Sequence, residues 1–111
     1  GRTPEQQKIF SAVQNLLQLR RRHSALRIGK LLHAFSDEEL YAFVRQTDDE
    51  RLLVIFNNGG RSRTITVPEA DTPLADTLRT TILYGPGTAQ TTGKEMRITS
   101  PPQSISVFSL D

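Results

Sequence analysis

Two neighbouring segments, Leu40-Tyr41-Ala42-Phe43-Val44 and Leu52-Leu53-Val54-Ile55-Phe56, are apolar or aromatic at every position. Successive side chains of a strand point to opposite faces, so strands of this composition are greasy on both sides. A surface antiparallel sheet instead alternates, as Arg63-Thr64-Ile65-Thr66-Val67 does here, with one wet face. The central pair must therefore form a middle layer with cover above and below. Burying one Leu-sized side chain contributes about 1.5–3 kcal/mol. Several left bare would drive aggregation or association.

The rest of the chain offers both covers. Short strands are expected near 30–35, 40–47, 51–57, 62–67, 77–84, 94–99 and 104–110. Turn signals separate them: Ser36-Asp37-Glu38-Glu39, Asp48-Asp49-Glu50, Asn57-Asn58-Gly59-Gly60, Pro68 to Pro73, Gly85-Pro86-Gly87, Gly93 and Pro101-Pro102. Leu78, Ile82 and Tyr84 alternate along one of these strands and should share its apolar face. Stretches 68–76 and 85–93 read as irregular surface loops. The pattern predicts a mainly β fold, an antiparallel Greek-key β-sandwich of about seven or eight strands, preceded by one N-terminal α-helix. One cover of the central pair is then the second sheet.

The helix is the candidate for the other. Thr3 is placed as an N-cap, Pro4 suits the first helical position, and Gln6 completes a capping box. Ile9, Val13, Leu16, Leu17 and Arg20 follow at helical spacing, with Phe10, Ala12 and Leu19 widening the stripe. The pattern stops near Ser24, and Gly29 punctuates a connector. The expected organisation is a helix and connector over 1–29 and a sandwich over 30–111. A second body outside this chain, or a second copy of it, is the remaining candidate cover.

Composition narrows the function classes. The 111 residues include no cysteine, which removes disulfides and thiolate metal sites. No apolar run approaches the roughly 20 residues that span a bilayer, and no membrane partner is expected. The opening Gly1-Arg2-Thr3-Pro4 carries neither an initiator methionine nor a signal pattern, so the chain reads as a piece of a longer protein. Both a cytoplasmic and a periplasmic bacterial-type parent fit. The net charge of +2 hides an asymmetry, with seven cations and one acid in residues 1–30 and net −4 in the remainder. Arg20, Arg21, Arg22, Arg27 and Lys30 suit a helix C-terminus, where the dipole favours cations. The competing reading is a basic interaction module for an anionic partner. No nucleic-acid module accompanies the cluster, so nucleic acid is not expected.

The junction Leu19-Arg20-Arg21-Arg22-His23-Ser24-Ala25-Leu26-Arg27-Ile28-Gly29 resembles the "LRRRHPALRxG" segment of the α-amylase family of glycoside hydrolases, with Ser24 where proline is usual. Tyr41-Ala42-Phe43-Val44-Arg45 and Glu50-Arg51-Leu52-Leu53-Val54-Ile55-Phe56-Asn57-Asn58 are similar to its "YAFxR…ERxLVxxNN" strand pair, and Pro101-Pro102-Gln103-Ser104 to its terminal "PPxS". The neopullulanase/cyclomaltodextrinase-like branch is the nearest match. The resemblance implies that the helix ends a catalytic (β/α)-barrel and that the sandwich is the C-terminal domain behind it. The parent would be a glycosidase hydrolysing α-1,4/α-1,6-glucosidic bonds of an α-glucan.

The chemistry of such a parent is not expected within these residues. Retaining hydrolysis needs two carboxyl groups about 5–5.5 Å apart. The family's Asp-x-x-x-Asn-His, Gly-x-Arg-x-Asp and Asn-His-Asp elements are absent, and Gly60-Arg61-Ser62-Arg63 lacks the aspartate. No catalytic, cofactor-binding or metal-ligating residue is assigned, and no cofactor is expected. Asp37-Glu38-Glu39 and Asp48-Asp49-Glu50 lack calcium-loop spacing and read as solvated turns. His23 reads as a junction residue and His33 as a strand residue. Ser104 and Ser106 lie in no nucleophile elbow, and Gly85-Pro86-Gly87 precedes no helix. The site residues expected are those of interdomain packing: Ile9, Val13, Leu16, Leu17, Leu26, Tyr41 and Phe43. Tyr84, at a strand end beside a turn, is the one candidate sugar contact.

Overall fold

In the computed structural model the described residues are 3–111, and the side chains of Glu5, Lys8, Ile9, Phe10 and Ala12 also lie outside the description. Two helices, α1 (Pro4–Arg22) and α2 (Ser24–Ile28), lead into the strands β1 (Lys30–Ser36), β2 (Leu40–Gln46), β3 (Arg51–Asn57) and β4 (Arg63–Pro68). They are followed by β5 (Thr80–Tyr84), β6 (Thr88–Thr91), β7 (Glu95–Ser100) and β8 (Ser104–Leu110). A five-stranded sheet runs β1-β2-β3-β8-β5, and a three-stranded sheet runs β4-β7-β6. All pairings are antiparallel. The two sheets form a β-sandwich, as the strand pattern predicts.

The doubly apolar strands sit centrally. β3 lies between β2 and β8, and register places Phe43 opposite Val54 and Val54 opposite Val107. One set of alternate residues (Leu40, Ala42, Val44, Leu53, Ile55, Phe108 and Leu110) packs against Val67, Ala89, Met96 and Ile98 of the smaller sheet. The other set faces outward to the helices. The two clusters of buried apolar residues therefore lie on opposite faces of a single sheet.

Four expectations need correction. The stretch 85–93 is not wholly irregular, because it contains β6. Thr88-Ala89-Gln90-Thr91 buries only Ala89 fully, which leaves too little alternation to show in sequence. The strand expected over 77–84 begins only at Thr80, and Leu78 precedes it at 86% exposure. A register shift between Ile82 and Tyr84 places Ile82 opposite Phe108 and Tyr84 opposite Val107, on opposite faces. The apolar face read for Leu78, Ile82 and Tyr84 is therefore broken. The loop over 68–76 is likewise more than surface, since Leu74 is fully buried in the inter-sheet core. Arg51 holds that loop, donating to the carbonyls of Pro73 (3.2 Å) and Ala75 (2.8 Å).

Asn57 ties the sheets together. It is fully buried at the end of β3. Its Nδ2 lies 3.0 Å from the carbonyl oxygens of Arg61, Ser100 and Pro101, and its Oδ1 accepts from the Gly59 N–H at 2.9 Å. Ser100 ends β7 of the other sheet. At the same end of the sandwich, Gly85 has φ +95° and passes so close to β8 that a Cβ would lie 2.1 Å from the Ile105 carbonyl oxygen. Asn57→Ala strips the donor from the buried Ser100 carbonyl and from the part-buried Arg61 and Pro101 carbonyls, and a buried one left unsatisfied costs on the order of 1–3 kcal/mol. It is expected to lower unfolding free energy by about 2–3 kcal/mol, read from urea denaturation.

Candidate docking surface

The outward face of the five-stranded sheet is built by Leu52 and Val54 of β3 and Ile105 and Val107 of β8, all buried. Leu19 of α1 and Ala25 and Leu26 of α2 cover them, with Leu16, Phe43, Leu83 and Tyr84 half-buried around the contact. Each covered leucine contributes about 1.5–3 kcal/mol, enough to hold a helix whose own propensity would leave it marginal in water. The N-terminus of α1 is secured by the capping box of Thr3 and Gln6, as expected.

Polar contacts set the angle of the helices. His23 adopts an extended conformation, ends α1 and donates its N–H to the Leu19 carbonyl (2.9 Å). The expected helix thus stops before Ser24, and the expected connector holds the short helix α2. The N-terminus of α2 is capped across the molecule by Glu50, from the turn between β2 and β3. Glu50 Oε1 accepts from the Ala25 N–H at 3.0 Å, and Oε2 lies 3.1 Å from His23 Nδ1. Burial pushes the Glu50 carboxyl up, but the Ala25 N–H, His23 and Ser24 together outweigh it and hold the group below its ordinary value. Further along, Asn15 Nδ2 donates to the Tyr84 hydroxyl at 3.3 Å.

The helices cover only part of the face. The apolar stripe of α1 splits: Leu19 faces the sheet, whereas Val13 and Leu17 are 45% and 51% exposed. Leu17 and Arg20 of α1, with Phe43, Arg45 and Val54 of the sheet, line a groove of about 250 Å³. Val13, Phe56, Asn58 and Gln103 line a smaller hollow of about 100 Å³. Beyond the groove, rings continue across the strands, with centroids 5.1 Å apart from Phe43 to Tyr41 and 5.7 Å from Tyr41 to His33. Leu31 at the sheet edge and Phe56 remain 52% and 41% exposed.

Of the packing residues expected from sequence, Val13, Leu16, Leu17, Leu26 and Phe43 lie at this helix–sheet surface, and Tyr41 extends it through the ring row. The side chain of Ile9 lies outside the described residues. Tyr84 is half-buried at the edge of the helix contact. The turn acids are not simply solvated. Asp37 ion-pairs with Arg63 at 2.5 Å, Glu39 lies 3.5 Å from Arg61, and Glu50 holds α2. The Arg63 guanidinium, then the Glu39 and Leu40 N–H groups, hold the Asp37 carboxyl well below the usual range. Sequence reasoning missed Glu50 and Arg45 because consecutive acids and a strand-end arginine look like ordinary surface until a partner element is placed over them. Among the described residues no group of three or more His, Asp or Glu is placed to hold a metal ion, and no helix is long and apolar enough to cross a membrane.

Residues 40–102, more than half of the chain, match the family described as the α-amylase SusG C-terminal domain. The chain belongs to that family. Solved structures agree. The debranching enzyme of Nostoc punctiforme is 26% identical with a TM-score of 0.74, over 94% of this chain and 22% of that one. AmyP, solved in complex with maltose, shares the fold at 20% identity and a TM-score of 0.75, over 96% of this chain and 21% of that one. The α-amylase from H. orenii does so at 19% and 0.67, over 91% and 20%. This SusG C-terminal-type chain thus spans about a fifth of the length of the solved proteins it matches.

Glu50→Ala is expected to cost about 1–2 kcal/mol and to raise amide exchange through α2 and the end of α1. The pH dependence has a definite sign. Because the folded carboxyl titrates below its ordinary 4.5, its stabilisation is complete above that pH and is lost as pH falls through the lower folded value. The stability gap between wild type and Glu50→Gln should shrink as pH falls below 4.5, as measured by urea denaturation at each pH.

Proposed function

We propose that this chain is the non-catalytic C-terminal accessory domain of an α-glucan-acting glycoside hydrolase of the α-amylase/neopullulanase type. Residues 1–29 are the terminal barrel helix with its connector, and residues 30–111 are the accessory sandwich. Its work is mechanical: it covers the flank of the catalytic (β/α)-barrel and holds the last barrel helix in place. The observation that carries this reading is the half-covered outer face. A helix with one flank buried on the sheet and Val13 and Leu17 exposed on the other has a second surface to satisfy. Family membership supports the reading, and so does the chain's small share of its relatives' length. Cleavage of α-1,4/α-1,6-glucosidic bonds belongs, on this reading, to the barrel.

The basic-module alternative is less favoured. Arg20, Arg21 and Arg22 occupy the last turn of α1, where cations complement the helix dipole. A glucan contact at Tyr84 is also less favoured, since its hydroxyl is engaged by Asn15 and its ring packs beside the helix contact.

The test compares this chain with one extended upstream through the barrel. The extended protein is expected to release reducing ends from a maltooligosaccharide, and the 111-residue chain to release none. Leu17→Ser should change the short chain by no more than about 0.5 kcal/mol, as an exposed substitution. In the extended protein it should lower the thermal midpoint by several degrees. Equal, negligible effects in both would sink the packing role.

A further inference from the structure

Arg45 stands on the outer face of β2, opposite Leu31 on one side and Leu52 on the other. It lies on the floor of the 250 Å³ groove, which Arg20 lines from α1. Its Nε is buried and has no hydrogen-bond partner. Among the described residues neither arginine has a carboxylate within ion-pair distance. A buried N–H of a charged group without an acceptor is costly, and two guanidinium groups sharing one groove repel each other. Both costs are offset if a carboxylate enters, since the guanidinium fork matches it in a bidentate manner. The surrounding Leu17, Phe43 and Val54 would keep water away and strengthen the pair.

We propose that the body covering this face inserts an Asp or Glu side chain into the groove between Arg45 and Arg20, so that Arg45 sets the register of the interface. This rests on the packing role proposed above and adds the chemistry of the partner: an apolar surface carrying one acid. A second copy of the chain does not satisfy the groove. An isologous contact centred on the groove brings its lining against itself, and that lining contains two arginines and no acid.

Arg45→Met keeps the stem and removes the charge. In the 111-residue chain it should leave the thermal midpoint unchanged or raise it. In the protein extended through the barrel it should lower the midpoint by several degrees, and Arg45→Lys should restore only part of the loss. A clear loss in the short chain would show the guanidinium already satisfied and would overturn the proposal. If Leu17→Ser destabilises the extended protein and Arg45→Met does not, packing stands and the buried carboxylate is refuted; if neither does, both readings fall. Two further results would also refute it. One is stabilisation of the short chain by inorganic phosphate that Arg45→Met abolishes, which marks a small-anion site. The other is a short-chain dimer, seen by sedimentation, that Arg45→Met dissociates.

Discussion

Strands β2, β3 and β8 have to be kept dry on both sides, and the architecture follows from that requirement. On the inner side the smaller sheet supplies Val67, Ala89, Met96 and Ile98. On the outer side Leu19, Ala25 and Leu26 descend onto Leu52, Val54, Ile105 and Val107. Neither cover is optional, because hydrophobic burial is the main force available to a chain of this size without disulfides. The edge strands β1 and β5, by contrast, expose Leu31 and Ile82. The sheet is thus most apolar at its middle.

Polar contacts then choose one arrangement among those that burial alone would accept. Asn57 binds the end of β3 to the end of β7. Asp37 and Arg63 join the β1–β2 turn to the first residue of β4. Glu50 grips the break between α1 and α2, so the helices meet the sheet at a defined point. Each contact bridges elements distant in sequence, and each uses a group whose charge or amide would otherwise be wasted on solvent or buried unpaired. They resemble rivets on a surface that apolar packing has already brought together.

The proposed accessory role draws on one face of the sandwich. A groove, a hollow and a row of rings share the helix-bearing face. That face continues from a surface already shown to hold a helix by leucine packing. The same physics would operate between this domain and a larger neighbour, and the arginines on the groove would decide which neighbour surface fits.

Much of this was legible in the chain. The positions of the strands other than β6 and the start of β5, the helix with its capping box, the apolar middle pair and the family follow from local pattern, because alternation, helical spacing and turn residues are properties of neighbours in sequence. Leu26 is buried and Phe43 half-buried at the helix–sheet contact for the same reason, since both are apolar side chains. Tertiary structure alone decided the rest. The register shift in β5 separated Ile82 from Tyr84, Leu74 was drawn from a loop into the core, and Glu50 became a helix cap instead of a solvated turn acid. Arg45, with its buried and unpaired Nε, likewise came to line a groove only once the helices and the sheet were brought together. Sequence determines which side chains seek burial. Which polar groups end up facing one another depends on segments brought together across the fold, and no local pattern records that.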